Sequence, residues 1–455
     1  MKIAFVLEFL CGPDAAICGI SKTYDLYIEK LYELGHEIII FSSFNANEIG
    51  NYYLKRNIKI LAYKLSSVSF FWNPNKVIDN TTSNHQKYFF CKNTFKDHYI
   101  VSSSLLKQKP DIVHCVLDVP STAIFSLYCF LFDIPIVSVL HSNAECLFFK
   151  QANLLGYSKV YNLFHKYLSY THDSIATRSE SFSSYMKNKY NWKFDKLITP
   201  HVNSNIFYYN KERCESDYIL NLKKKLTFNS KFPILYLYVG RVDKDKDIQT
   251  IVELLAPYTD CYLTIIGGGT LSNHFLKMHG EDTRIYSIPR FLSHEELVDY
   301  YYAADYHISA SQMETLGNTA IESISCGTPV ITPRACGFMN SIKENKSGFM
   351  WEPNNNKSAD DVIQKSRNFF IKTEISEKTL QRINDFSYKN TIDQLEKWYK
   401  CAIEYQRSGV EKVFYIWAVL SYLFFIDVIC IALHFYKFFN KKERFDLYQL
   451  IDITI

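Results

Sequence analysis

Two successive stretches of the sequence alternate short apolar runs with helical patterns, and this alternation most restricts the fold. In the first half we predict these strands and helices: Lys2–Leu7, Ser21–Leu34, Glu37–Ser42, Asp111–Val116, Thr122–Phe132 and Pro135–Leu140. Strands joined by crossover helices form parallel sheets with helices on their faces. The intervening stretch 52–108 is rich in Lys, Asn and aromatic residues, and its pattern predicts no regular strands or helices.

The same alternation begins again after a polar, charged stretch at 208–231, which we interpret as a linker region. The predicted elements there are Pro233–Val239, Ile248–Leu255, Cys261–Ile266, His294–Ala303, Tyr306–Ser309, Gly317–Cys326 and Pro329–Thr332. A chain of 455 residues is too long for one ordinary core. We therefore expect an α/β protein with two Rossmann-like, doubly wound domains at 1–206 and 207–385. Such domains bind ligands at the C-terminal ends of their strands.

Composition excludes some classes of function. The 51 basic and 47 acidic residues leave a net charge of only +4, which argues against a nucleic-acid-binding protein. The twelve cysteines are dispersed without a Cys-x-x-Cys pair, so we expect free, mostly buried thiols and no zinc site. Glu8 interrupts the first apolar run, which therefore predicts a buried strand rather than a signal peptide.

An apolar stretch of 24 residues, Val413–Tyr436, follows a mixed helical segment at 386–410. It is long enough to cross a hydrocarbon core of about 30 Å. Asp427 within it leaves a buried or in-plane helix as an open alternative, because a mid-span carboxylate is costly. We expect a single-pass or monotopic membrane protein with cytosolic catalytic domains and a tail at 437–455.

The segment 311–333 carries the strongest chemical signal. Glu314 and Glu322 lie eight positions apart, and a helix is predicted to begin near Gly317 between them. A helix N-terminus offers backbone amides to phosphate oxygens, here those of Thr315, Leu316 and Gly317. Glu322 can accept hydrogen bonds from two ribose hydroxyls, and Glu314 can reach the hydroxyls of a donor sugar. Solvated carboxylates are the alternative, but the flanking ETLG and CGTPV motifs favour a site.

A second candidate element, VGRVDKDK at 239–246, follows an apolar strand. Arg241 and Lys246 leave the strand tip, beside Gly240, where they can converge on a diphosphate. Preorganised cations stabilise the charge that develops on such a leaving group. Exposed cations are the alternative, and the alternating Asp243 and Asp245 leave a metal site open. A calcium loop does not fit, because Ile replaces its required Gly. We expect no metal and no cofactor.

Fewer candidates arise in the first half. Gly19 opens the helix after the first strand, and His141 lies just past the strand Pro135–Leu140, at the edge expected to face the cleft. His114 is a weaker candidate of the same kind. In the second half, Gly267–Gly269 lacks dinucleotide-fingerprint spacing, so we expect these glycines to let the backbone approach a nucleotide.

Over about residues 1–400 the sequence resembles glycosyltransferase family 4, the retaining transferases of the GT-B fold. The resemblance rests on the motifs at Gly35-His36, Pro110–His114, Ile134–Val137, His141, Val239–Lys246, Ala303–Asp305, Glu314–Gly317, Glu322–Val330 and Phe386–Tyr388. The ETLG motif and the segment Pro333–Gly337 are closest to the sulfoquinovosyl and lipid-glycosylating branch. The chain departs from the family at Cys18-Gly19, where paired glycines are usual, and at His201–Asn203.

The resemblance implies a GT-B fold with a closing helix at 386–410. It also implies site roles: Arg241 and Lys246 at the diphosphate, Glu322 at the ribose, Glu314 at the donor sugar, Gly19 near the phosphates and His141 at the reacting centre. We expect a retaining hexosyltransferase that uses a nucleotide sugar, with UDP as the expected nucleotide. The expected acceptor is a membrane lipid or a lipid-linked glycan. A catalytically inactive scaffold subunit and a GT-B sugar-nucleotide epimerase are the alternatives.

Overall fold

The structure of the chain is a computed structural model. The structure describes residues 1–8, 19–71, 87–91, 95–116, 122–141, 171–192, 194–199, 201–368 and 386–405, with Val413 and Trp417. The strands are β1 Lys2–Glu8, β2 Glu37–Ser42, β3 Ile60–Lys64, β4 Ser67–Phe71, β5 Lys87–Cys91, β6 Ile112–Val116, β7 Ile136–Leu140, β8 Ser174–Thr177, β9 Lys196–Leu197, β10 Ile234–Val239, β11 Cys261–Ile266, β12 Ile285–Ile288, β13 Tyr306–Ile308, β14 Val330–Pro333 and β15 Gly348–Trp351.

Helices connect most of these strands, as crossover connections between parallel strands require. They are α1 Gly19–Glu33, α2 Ala46–Leu54, α3 Phe95–Gln108, α4 Thr122–Leu131, α5 Glu180–Tyr190, α6 Lys211–Cys214, α7 Asp217–Leu226, α8 Ile248–Leu255, α9 Ser272–Lys277, α10 His294–Ala303, α11 Asn318–Ser325, α12 Phe338–Ser341, α13 Asn356–Asn368 and α14 Tyr388–Glu404. A 3₁₀ turn, Lys244–Lys246, follows β10.

The first sheet is parallel, with strand order β3-β2-β1-β6-β7-β8-β9. Helices cover its faces, so β6 and β7 are buried along their whole length, as their continuous apolar sequence predicts. The order of the strands reverses between β1 and β6. A separate antiparallel pair joins β4 and β5 within the stretch that the sequence left unassigned.

The second sheet is also parallel, with order β12-β11-β10-β13-β14-β15. Its order reverses between β10 and β13, whose C-terminal ends therefore border a crevice. The predicted α/β class with two Rossmann-like sheets is confirmed. The domain limits at 206 and 385 stay predictions. The first sheet ends at Leu197 and the second begins at Ile234, so the sheets do not fix the exact boundary.

The last long helix, α14, packs on the first sheet rather than on the second. Its buried side chains, Ile392, Leu395, Trp398 and Tyr399, belong to the same apolar cluster as Ile3 and Phe5 of β1. Trp398 Nε1 donates to Ser174 Oγ at 2.8 Å, and the Tyr399 hydroxyl hydrogen bonds with His114 Nδ1 at 2.6 Å. The chain thus returns to the first sheet after building the second.

The expected membrane segment, Val413–Tyr436, and the tail after it lie outside the described residues, except for Val413 and Trp417. Among the residues that the structure describes, no helix has the length and apolar character needed to cross a bilayer. The membrane helix therefore stays a prediction. Among the described cysteines, Cys115, Cys129, Cys261 and Cys326 are buried.

Candidate active site

The predicted cationic and acidic residues meet at the crevice where the second sheet changes direction. Arg241 and Lys246 follow β10, and Glu314 lies in the loop after β13. Lys246 Nζ donates to Glu314 Oε1 at 2.5 Å. Because β10 and β13 are neighbours in the sheet, their ends bring together residues that are 68 positions apart in the chain.

Arg241 contacts two acidic side chains of its own loop, which the sequence did not predict. Its Nη1 donates to Asp243 Oδ2 at 2.5 Å, and its Nη2 donates to Asp245 Oδ2 at 3.0 Å. The alternating aspartates that left a metal site open in the sequence therefore contact the guanidinium of Arg241. Within the described ranges, no group of three or more His, Cys, Asp or Glu side chains is arranged to hold a metal ion.

Asp243 also joins two loops. It is buried, and its Oδ1 accepts hydrogen bonds from Thr270 N at 2.8 Å and Thr270 Oγ1 at 2.9 Å. The glycines before Thr270 allow this close approach, because a Cβ on Gly267 would lie 1.8 Å from the carbonyl oxygen of Gly240. Gly267–Gly269 thus packs against the loop that carries Arg241, and the nucleotide contact that the sequence predicted for these glycines stays a prediction.

Glu314 is held in its ionised form. Burial acts to raise its pKa, but the charge and hydrogen bond of Lys246, with a smaller contribution from Arg241, leave the pKa below its ordinary value. The Glu314 carboxylate and the Lys246 ammonium therefore form a charged pair at the edge of the crevice. Each can exchange this partner for a substrate group, since the pair is partly exposed.

Gly317 makes the turn into α11 that the sequence predicted. Its φ of +83° lies in the left-handed region, and a Cβ at this position would lie 2.4 Å from Cε1 of Phe338. The Leu316 carbonyl accepts a hydrogen bond from Ser341 Oγ at 2.8 Å, which holds the loop against α12. Thr315, Leu316 and Gly317 therefore form the entry to the helix, as expected.

Glu322 lies in the second turn of α11 and is partly buried. Burial raises its pKa to about 7, although the Tyr301 hydroxyl, which donates to Glu322 Oε2 at 3.0 Å, and the charge of Lys22 both lower it. Lys22 belongs to α1, the helix that Gly19 opens, so α1 of the first domain faces α11 of the second. The stretch before Gly19 lies outside the described residues, and the role of Gly19 stays a prediction.

His141 immediately follows β7 and is buried. The Tyr24 hydroxyl hydrogen bonds with His141 Nε2 at 2.9 Å and with His114 Nε2 at 3.1 Å. Burial, with the charge of Arg178, lowers the pKa of His141 well below its ordinary value, so the imidazole is neutral. Among the described residues, Nδ1 of His141 has no hydrogen-bond partner.

Hydrogen bonds connect this histidine to the Glu314–Gly317 loop of the other domain. Thr315 Oγ1 donates to the His141 carbonyl at 2.9 Å, and Ser179 Oγ donates to the Thr315 carbonyl at 2.7 Å. Ser181 Oγ donates to the Cys336 carbonyl at 2.5 Å. The structure thus brings His141, Lys246 and Glu314 to one cleft, with Thr315 between the two domains.

Sequence reasoning missed Arg178, which follows β8 directly and is buried beside His141. Leu140 and Thr177 are paired in the parallel register of β7 and β8, so His141 and Arg178 occupy equivalent positions on adjacent strands. A basic residue at a strand end would have been the signal, but β8 itself was not predicted.

Residues 220–373 match the family model described as glycosyl transferases group 1. The second domain is a glycosyl transferases group 1 domain. The match confirms the resemblance to glycosyltransferase family 4 over this part of the chain. This group 1 domain contains Arg241, Lys246, Glu314 and Glu322, while His141 and Arg178 lie outside the matched residues.

Two curated relatives align with parts of the chain. It is 26% identical over 136 residues to a sulfoquinovosyl transferase of Arabidopsis thaliana, which covers 29% of this chain and 26% of the relative. It is 25% identical over 196 residues to an alpha-monoglucosyldiacylglycerol synthase of Acholeplasma laidlawii, which covers 42% of this chain and 48% of the relative. The chain thus spans between about a quarter and a half of these relatives.

The solved structure of Anabaena HepE in complex with UDP has a similar fold. It superposes with a TM-score of 0.65 at 14% identity, over 88% of this chain and all of HepE. Likeness at this identity establishes the fold only. The two parallel sheets, the second of which lies within the matched residues 220–373, therefore form a GT-B fold.

Proposed function

We propose that this protein is a retaining glycosyltransferase that transfers a hexose from a nucleoside-diphosphate sugar to a lipid or lipid-linked acceptor. One observation carries the proposal: the Lys246–Glu314 ion pair lies beside Arg241 in a cleft that Thr315 connects to His141. This arrangement presents cations to a diphosphate, a carboxylate to sugar hydroxyls, and a neutral imidazole to the reacting end of the sugar.

The chemistry follows from the charges. When the bond between the sugar and the diphosphate breaks, negative charge develops on the leaving phosphate, and the Arg241 guanidinium and Lys246 ammonium stabilise it. The aspartates that contact Arg241 fix its orientation before substrate binds. In the retaining mechanism that the family implies, a leaving phosphate oxygen accepts the proton of the acceptor hydroxyl on the same face of the sugar.

The donor in this proposal is a UDP-linked hexose. Glu322 lies in α11, where its carboxylate can accept hydrogen bonds from the ribose hydroxyls, and the Thr315–Gly317 amides lie at the start of that helix. The similar fold of HepE, solved with UDP, supports the choice of base. No metal or cofactor is part of the proposal, since the cations of the chain serve the diphosphate.

The acceptor in this proposal resides in a membrane. The name of the alpha-monoglucosyldiacylglycerol synthase relative indicates a glycolipid product for that enzyme. The apolar sequence 413–436 offers this chain a single-pass or monotopic anchor, with the catalytic domains in the cytosol. The partners of this protein in the proposal are a nucleotide sugar, a lipid or lipid-linked glycan, and a membrane. Nucleic acid is not among the proposed partners.

Nucleotide binding is the first test. A thermal-shift screen with UDP, GDP and ADP should find one base that raises the melting temperature. A ligand at a hundredfold excess over its Kd adds about 2.7 kcal/mol to the free energy of unfolding. The selected UDP-, GDP- or ADP-sugars are then assayed for transfer with product analysis. Binding without transfer would favour the inactive scaffold, and an altered nucleotide sugar without transfer would identify an epimerase.

A truncation tests the acceptor. The chain shortened to residues 1–405 retains α14 and all the candidate site residues. It should bind nucleotide and glycosylate a soluble acceptor analogue as the full chain does, yet lose activity on acceptor lipids embedded in liposomes. A membrane anchor raises the effective concentration at the lipid without adding an active-site contact. Equal activity of both proteins on liposomes would refute the anchor.

A further inference from the structure

Arg178 is a buried cation that directly follows β8. Only 4% of the residue is exposed, and Nε and Nη2 of its guanidinium have no hydrogen-bond partner among the residues that the structure describes. These two nitrogens form one edge of the planar guanidinium. An edge of this kind binds two oxygens of a carboxylate, sulfonate or phosphate in parallel hydrogen bonds.

Among the residues that the structure describes, the groups that act electrostatically on Arg178 include no carboxylate. The groups that act electrostatically on it are the phenols of Tyr24 and Tyr27, both buried with pKa values raised above their ordinary value. Arg178 also acts electrostatically on His141 and His201, and burial together with the charge of Arg178 lowers the pKa of each imidazole, that of His201 to about 3. All four neighbours are therefore neutral near pH 7.

A buried charge without a counter-ion destabilises a fold strongly, and proteins rarely keep one unless a ligand supplies the opposite charge. The location fits a ligand. Ser179, the next residue, donates to the Thr315 carbonyl across the cleft, and His141 is at the equivalent position on the adjacent strand. Nδ1 of His141 and Nδ1 of His201 are also buried without a partner among the described residues.

We propose that Arg178 binds an anionic group of a substrate, a carboxylate, sulfonate or phosphate, on the first-domain side of the cleft. The inference rests on the proposed glycosyl transfer and narrows its substrates: either the donor sugar carries an acidic substituent, or the acceptor is anionic. The Nε–Nη2 edge binds the two oxygens, and the neutral histidines add hydrogen bonds without adding charge.

Matched pairs of probes distinguish the two sources. Calorimetry compares UDP-glucuronate with UDP-glucose for the donor, and glycerol 3-phosphate with glycerol, in the presence of UDP, for the acceptor. In the wild-type protein we expect the anionic member of one pair to bind at least about tenfold more tightly, since charge-assisted hydrogen bonds contribute this much. A preference in the first pair assigns the anion to the donor, and one in the second pair assigns it to the acceptor.

Arg178→Met should abolish that preference while leaving the Kd for UDP unchanged, because UDP binds through the second domain. It should also raise the melting temperature of the ligand-free protein, since an uncompensated buried charge is removed. Lys187→Met removes an exposed positive charge from the adjacent helix α5 and should change neither property. Arg178→Lys keeps the positive charge but lacks the planar guanidinium edge, so this variant should retain only part of the preference for the anionic probe.

Three results would overturn the inference: no preference in either probe pair, a preference that survives in Arg178→Met, or a lower melting temperature in that variant. The last would assign Arg178 a purely structural role, as would failure of Arg178→Met to fold while Arg178→Lys folds. Absence of UDP binding by the wild-type protein is a separate result that counts against the proposed UDP donor rather than against Arg178 alone.

Discussion

The Nζ of Lys246 and the Oε1 of Glu314 lie 2.5 Å apart, although one follows β10 and the other follows β13. Glu314 is ionised because of this cation. In the absence of substrate, the pair keeps a positive and a negative group in place at the position proposed for the diphosphate and the sugar. Binding a diphosphate replaces one carboxylate partner of Lys246 with phosphate oxygens, which bear more charge.

Lys246→Ala should therefore lower kcat by about a hundredfold, because removal of one preorganised donor commonly costs about 3 kcal/mol in the transition state. The pKa of Glu314 should rise, since its main favourable charge is gone. Lys244→Ala, at an exposed lysine two positions earlier, is the control and should retain normal turnover. Steady-state kinetics with the selected donor measure both variants, and near-normal kcat in Lys246→Ala would remove this lysine from the mechanism.

Glu322 should make both stability and nucleotide binding depend on pH. Its pKa in the fold is about 7, above the ordinary 4.5, so its contribution to stability is present at acid pH and lost as the pH rises through 7. Glu322→Gln should raise the free energy of unfolding by roughly 2–3 kcal/mol at pH 8 and change it little at pH 5. Denaturation at the two pH values tests this, and equal effects at both would contradict it.

The same carboxylate should bind ribose best when ionised, so wild-type nucleotide affinity should increase from pH 6 to pH 8. In Glu322→Gln the affinity should fall at least about tenfold at pH 8 and lose its pH dependence. Tyr301→Phe removes the hydrogen bond to Oε2 and should move the midpoint of the affinity profile to higher pH. A midpoint that stays in place would show that Tyr301 does not support the carboxylate.

Asp243 should act through Arg241 and Thr270 rather than through a metal. Asp243→Ala removes the hydrogen bonds from Thr270 N and Thr270 Oγ1 and the ion pair with Arg241, so we expect a loss of roughly 1–3 kcal/mol of stability and a lower kcat. Asp247→Asn is the control, because Asp247 is exposed and its φ of +51° suits asparagine. Activity should persist in EDTA. Activity that requires Mn²⁺ in the wild-type protein and is lost in Asp243→Ala would instead support a metal site.

Gly317→Ala should disrupt the turn before α11. Alanine at a φ of +83° is strained, and its Cβ would overlap the ring of Phe338, so we expect a loss of roughly 1–3 kcal/mol of stability and weaker nucleotide binding. Gly280→Ala is the matched control, because nothing lies within 4 Å of its Cβ position. Thermal denaturation with and without UDP tests both variants. Equal melting temperatures of Gly317→Ala and the wild-type protein would show that the loop before α11 relaxes to accept the alanine.

How far the sequence predicts this structure varies from element to element. β10 was predictable because its apolar run is continuous, and the meeting of Lys246 with Glu314 follows from motifs placed after neighbouring strands. The sequence predicts the position of Arg241 at the strand tip. It does not predict that Asp243 and Asp245 contact Arg241, because alternating aspartates suit a metal ion as well as a guanidinium. The electrostatic neighbours of the buried Arg178, Tyr24 and Tyr27, are about 150 residues away in the chain, and no local pattern of the sequence indicates them.

The return of α14 to the first sheet has a consequence for synthesis on the ribosome. Trp398 and Tyr399 complete the apolar cluster that begins with Ile3, yet they emerge nearly four hundred residues later. Domains generally fold in the order in which they are translated. Here the second sheet has all its strands by Trp351, before the first domain receives its final helix, so the nascent first domain exposes an apolar face until translation passes Glu404.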